Sequence, residues 1–234
     1  MTYFRYDPML LARFSTIRGG VILARGVQNG PTPPELTDAF HAEQQAVLSR
    51  LGDTPLSQLP SLAAWRRAFT AFGVKPTQYR SAAEALLRRL TKQNEIPNVN
   101  LLVDLGNLVS IRYALPIAIF DLAHIQGGIT VRLATGNETF TTLDTDESDH
   151  PAPGEVIFID EAGTVAARRW CWRQSEESAA RDTTTEALVT VEAHHDTATQ
   201  DVQAALDDLV RLLSHYTEGT FQTALLSPEN PIFG

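Results

Sequence analysis

Between Asn100-Leu101-Leu102-Val103-Asp104-Leu105-Gly106-Asn107-Leu108 and Ile129-Thr130-Val131-Arg132-Leu133 the hydrophobic period of this chain changes. In the first stretch Leu101, Leu105 and Leu108 recur at three- and four-residue spacing, which predicts a helix over 100–112 that Pro116 ends. In the second, Ile129, Val131 and Leu133 alternate with Thr130 and Arg132, the period of a half-buried strand. A compact apolar strand over 155–160 follows Gly154, and another is expected over 187–193. Upstream, Leu36, Phe40, Val47, Leu48 and Leu51 mark an amphipathic helix ended by Gly52. Ser61 is expected to cap a helix carrying Trp65, Ala68, Phe69 and Phe72 and stopping at Gly73, and Ser81 with Glu84 makes a capping box for the next. Downstream, Val202, Leu206, Leu209 and Leu213 line a helix over 201–215. Helices first, strands in the middle and a helix last predict an α+β fold.

The sharpest break is Asn29-Gly30-Pro31-Thr32-Pro33-Pro34, where proline and glycine forbid regular structure. It sets apart residues 1–28, whose Gly20-Val21-Ile22-Leu23-Ala24-Arg25 reads as a short buried strand packing on a main domain over 29–215, with 216–234 as a C-terminal tail. An acidic loop with Asp144, Asp146, Glu147 and Asp149, together with Pro151 and Pro153, reads as a solvated turn.

A chain of 234 residues with 43% hydrophobic content can bury a sizeable core, which excludes a disordered protein. Its 19 cationic and 28 acidic side chains leave a net charge of −9, so no global positive field recruits a phosphate backbone and any contact with nucleic acid must be local. The longest apolar run, Ala114–Phe120, contains Pro116 and is too short to span a membrane. The amino terminus lacks a basic region followed by an apolar stretch, and the single Cys171 forms neither an internal disulfide nor a cysteine metal cluster. The expectation is a soluble cytoplasmic protein with no metal and no cofactor.

Three groups of residues can carry chemistry. Asn100, Asp104 and Asn107 fall within about 60° of one another on the predicted helix, as capping groups or as a pocket lining. In Arg168-Arg169-Trp170-Cys171-Trp172-Arg173-Gln174-Ser175, read as one strand, Arg168, Trp170, Trp172 and Gln174 share a face. Such a ribbon can stack a base on indole and hold phosphate with guanidinium, or serve as core anchors with a solvated edge. Glu192 and His194 face the same way at a strand end, where Glu192 can position water.

The order of Trp65-Arg66-Arg67-Ala68-Phe69, Asn100 to Asp104 with Asn107, Leu115-Pro116, Phe120-Asp121, Ile125 to Leu133 and Trp170-Cys171-Trp172-Arg173-Gln174 resembles a free-standing B3/B4 domain, the editing and tRNA-binding module of the bacterial phenylalanyl-tRNA synthetase β subunit. The resemblance runs from about Trp65 to Glu192. It implies a pocket bringing together Asn100, Asp104, Asn107, Arg173, Gln174 and Glu192 with Trp170 or Trp172 as an apolar wall, Glu192 and Asp104 being the catalytic candidates. It also implies tRNA or aminoacyl-tRNA as partner. Gly106 and Ala118 depart from the threonine and histidine that the synthetase module carries there. Two functions follow: a trans-editing hydrolase that cleaves the ester of a mischarged aminoacyl-tRNA, or a non-catalytic module that binds an amino acid, a nucleotide or the tRNA 3′ end.

Overall fold

The computed structural model describes residues 2–143, 145 and 147–234, so Asp144 and Asp146 of the acidic loop lie outside the described residues. Among the described residues, twelve strands and six α-helices follow in the order β1 (Phe4–Tyr6), α1 (Pro8–Arg13), β2 (Arg18–Arg25), α2 (Pro34–Leu51), α3 (Pro60–Ala71), α4 (Ala82–Gln93), α5 (Leu101–Tyr113), β3 (Ile117–Asp121), β4 (Ile129–Leu133), β5 (Phe140–Thr141), β6 (Ser148–Asp149), β7 (Val156–Ile159), β8 (Val165–Arg168), β9 (Arg173–Gln174), β10 (Glu186–Ala193), α6 (Ala198–Tyr216), β11 (Thr220–Leu226) and β12 (Ile232–Phe233). The α+β reading holds.

One sheet has four strands in the order β11-β2-β10-β3, all antiparallel, and a second has six in the order β12-β1-β4-β7-β8-β9, where only β1 and β4 pair in parallel. The central strands of the four-stranded sheet, β2 and β10, are buried on both faces. Ile22 and Ala24 of β2, with Val189 and Val191 of β10, pack under α2, α5 and α6. Val21, Leu23 and Leu188 face the other way, in one cluster with Phe4, Val131 and Phe158 of the second sheet and with Trp170. That is why residues 20–24 read as an uninterrupted apolar run rather than an alternating one. The same alternation aims Thr190 and Glu192 of β10 at the space between the sheets.

Within residues 1–28, β2 is an internal strand of its sheet, flanked by β11 and β10. Residues 216–234 depart from the expected tail: β11 pairs with β2 and β12 with β1, so the carboxy terminus is built into both sheets. Leu59, not Ser61, occupies the cap of α3, and Pro60 opens that helix. Proline's fixed φ suits the first helical turn, whose N–H groups have no partner in any case. At α4 the Ser81 hydroxyl accepts from Glu84 N at 3.3 Å, but the Glu84 carboxylate, instead of closing the capping box, accepts from Arg66 Nε at 2.9 Å. No described helix is long and apolar enough to cross a membrane.

Candidate functional site

The stretch 168–175 is not one strand. Ala167 pairs with Gln174 and Arg168 with Arg173, so 169–172 form the loop of a hairpin. Arg169 and Trp170 turn the chain with φ of 44° and 58°, in the left-handed region that bulky side chains rarely enter. Such a conformation persists only where surrounding contacts fix it. Arg169 N donates to Glu155 Oε1 at 2.9 Å and Trp170 N to Val156 O at 2.7 Å. The Trp170 side chain is fully buried among Trp65, Phe14 and His194. The alternation expected of a strand is therefore replaced: Trp170 points into the core, whereas Trp172 is partly exposed beneath the guanidinium groups of Arg169 and Arg173, 4.5 and 4.7 Å from its ring centre.

This hairpin, β3, β10, α4 and α5 enclose a cavity of about 580 Å³. Asn107, Trp170, Trp172, Arg173, Gln174 and Glu192 all line it. Much of the wall is apolar, from Leu86, Ile117, Ala118 and Phe158. Gln174 is fixed by donating Nε2 to Ile119 O at 2.9 Å, and Arg173 is exposed.

Glu192 is 2% exposed. Its Oε1 accepts from the Tyr6 hydroxyl at 2.8 Å and its Oε2 from the Trp170 indole at 3.0 Å, while Trp65 Nε1 donates to its main-chain carbonyl at 3.3 Å. Burial pushes the carboxyl up to about 7, and the two donors, which favour the charged form, oppose that shift. The Cys171 thiol, also at the cavity, is pushed well up by burial and then by the Glu192 charge, so thiolate chemistry is disfavoured. His194 shares the face of Glu192, as alternation predicts, but burial drives its imidazole down to about 3; its Nδ1 lies 3.1 Å from Thr16 Oγ1, and Trp65 and Trp170 pack against its ring. Among the described residues, no group of three or more His, Cys, Asp or Glu side chains could hold a metal ion.

Asn100 and Asp104 do not line the cavity. Asn100 is the N-cap of α5, accepting from Val103 N at 3.0 Å and donating to Ala180 O at 3.2 Å. Asp104 is fully buried and accepts from Thr32 Oγ1, Asn98 Nδ2 and Val99 N, which belts the 30–33 break and the 94–100 loop onto α5. The three polar residues share one side of the helix, yet Asn107 lies about 10 Å along the axis from Asn100, and only that end reaches the cavity.

Tyr6, Thr190, Arg89 and Gln93 were not legible as site residues. Thr190 and Glu192 did carry a signal, being two polar residues at strand spacing within the otherwise apolar stretch 187–193. Tyr6 carried none, because its three-residue strand reads as ordinary alternation.

The family model of the B3/4 domain matches residues 64–218. The phenylalanine–tRNA ligase beta subunit of Mycoplasma genitalium is 42% identical over 71 residues, 30% of this chain and 9% of that protein. The corresponding subunit of Brucella abortus is 31% identical over 115 residues, 48% of this chain and 14% of that protein. The chain thus matches only a small part of the length of these curated relatives. An N-terminal fragment of the phenylalanyl-tRNA synthetase beta subunit from Pyrococcus horikoshii superposes with a TM-score of 0.49 and 14% identity over 93% of this chain and 49% of that one. The matched span contains α4, α5, β3, the β8–β9 hairpin and β10, every element that encloses the cavity, and this chain belongs to the B3/4 domain family.

Proposed function

We propose that the cavity receives the aminoacylated 3′ end of a tRNA and that the chain hydrolyses the ester of a mischarged aminoacyl-tRNA. The relation to tRNA is supported by the synthetase subunits that it resembles. The hydrolytic step is supported by one observation: a buried carboxylate that titrates near 7 stands in an apolar-walled cavity. A base poised near the working pH is half ionised and accepts a proton efficiently. In the reaction Glu192 takes a proton from water, the water oxygen attacks the ester carbonyl carbon, and the ester C–O bond breaks with protonation of the departing ribose oxygen. The ester is intrinsically labile, so orientation and a base are sufficient without a nucleophilic triad. The apolar wall receives the amino-acid side chain. Gln174, with Nε2 committed to Ile119, offers Oε1 to the substrate ammonium. The scheme uses no metal and no cofactor, and its substrate belongs to the cytoplasm.

A second reading, a binding module without catalysis, is favoured by the two donors that already occupy both oxygens of Glu192. A deacylation screen over a panel of mischarged tRNAs separates the two. Hydrolysis is expected for at least one of them and is lost in Glu192→Gln; retained binding with no turnover on any charged tRNA establishes the binding module instead.

A further inference from the structure

A shallow groove continues outward from the cavity. It shares Arg89, Gln93, Trp172 and Arg173 with the cavity and adds Arg88 and Lys92 of α4. Arg88, Arg89, Lys92 and Arg173 are all exposed, and no acidic side chain lines the groove. Arg80, at its edge, lies 3.7 Å from Glu84, whereas among the described residues the other four cations have no ion-pair partner. This is unexpected on a chain with 19 cationic and 28 acidic side chains, where a random surface groove carries both signs.

We infer that this groove holds the phosphates of the single-stranded end of an RNA whose terminus enters the Glu192 cavity. The choice of RNA rests on the function proposed above. The choice of a single strand rests on shape, since a duplex cannot thread into a cavity of about 580 Å³. Arg88 and Lys92, and Arg89 and Lys92, are neighbours along one helix face, about 5–6 Å apart at Cβ, so they offer successive charges along an extended backbone. Trp172 and Arg173, whose guanidinium lies 4.7 Å from the Trp172 ring centre, line both the groove and the cavity, where a terminal nucleotide passes from the charged surface to the apolar one.

The test compares the full chain with the triple variant Arg88→Ala, Arg89→Ala, Lys92→Ala, whose exposed helical positions accept alanine without loss of fold, as a melting curve verifies. The probes are labelled uncharged tRNA, the same tRNA without its single-stranded 3′ tail, and polyglutamate. The variant is expected to bind intact tRNA at least 10-fold more weakly, with a salt slope lower by about 2, or about 0.7 for each cation removed. On tail-less tRNA the two proteins should bind alike. Equal binding of intact tRNA, an undiminished difference on tail-less tRNA, polyglutamate bound as tightly as tRNA, or no RNA binding by the unaltered chain each overturns the groove's role. Its failure is distinct from failure of the hydrolase: Glu192→Gln should keep the binding difference, and a groove that binds RNA without turnover leaves this inference standing while the hydrolytic reading falls.

Discussion

Tyr6 and Glu192, 186 positions apart in the chain, are joined by a 2.8 Å hydrogen bond in which the phenol hydroxyl donates to the carboxylate. A third residue makes room for it. Gly19 is the register partner of Glu192 across β2 and β10, and a Cβ there would stand 2.2 Å from the Tyr6 hydroxyl oxygen. Tyr6 and Gly19 both precede the span 64–218 that matches the B3/4 domain, so the amino-terminal segment completes the surroundings of a carboxylate that the family module supplies.

Glu192 makes stability depend on pH. It titrates at about 7 in the folded chain, against 4.5 for an ordinary glutamate. Between those values the unfolded chain gives up its proton first, so rising pH favours unfolding. The loss builds from about pH 4.5, levels off above 7 and totals on the order of 3 kcal/mol. Glu192→Gln removes this slope, and melting temperatures of the two proteins from pH 5 to 8 should diverge accordingly. Parallel profiles would contradict the burial of an ionisable carboxyl.

Tyr6→Phe deletes a donor that favours the ionised form of Glu192. The pH midpoint of deacylation should therefore rise by about one unit, because a hydrogen bond to a charged group contributes about 1.5–3 kcal/mol. Stability should fall more at pH 8 than at pH 5, where the carboxyl is largely protonated. A pH–rate profile that does not move would remove Tyr6 from the positioning of the carboxylate.

Gly19→Ala forces a methyl group into the Tyr6 side chain, which is buried and has nowhere to swing. Overpacking of this kind costs about 1–3 kcal/mol. The same displacement should lower deacylation in parallel with Tyr6→Phe. A double variant, Gly19→Ala with Tyr6→Phe, relieves the contact with the hydroxyl and should recover part of the stability, measured by urea unfolding.

Asp104→Ala should behave in the opposite way to Glu192→Gln. It removes the buried carboxylate that ties Thr32, Asn98 and Val99 to α5, and because those donors sit on partly or fully exposed residues and can turn to water, the cost should be about 1–2 kcal/mol or roughly 5 °C in melting temperature for a chain of this size. The turnover of the protein that remains folded should be near normal, because Asp104 is absent from the cavity wall. Loss of turnover at an unchanged melting temperature would return Asp104 to the site.

The α+β order, the amphipathic helices and the two-residue alternation of β4 were legible because each is a periodicity local to one element. So was the shared face of Glu192 and His194; the grouping of Asn107, Trp170, Trp172, Arg173, Gln174 and Glu192 around one cavity was instead implied by the family resemblance, together with Asn100 and Asp104, which do not line it. Tertiary structure decided what local period cannot express. It assigned Asn100 and Asp104 to capping and loop anchoring, because residues on one helix face still separate along its axis. It folded 168–175 into a hairpin, because contacts from Glu155 and Val156 hold Arg169 and Trp170 in a left-handed turn that no propensity favours. It drew residues 216–234 into both sheets, since strand pairing is a long-range choice. And it brought Tyr6 to Glu192 through the gap at Gly19: the carboxylate's position was written in the alternation of β10, but its raised pKa comes from burial between two sheets, which only the packed molecule creates.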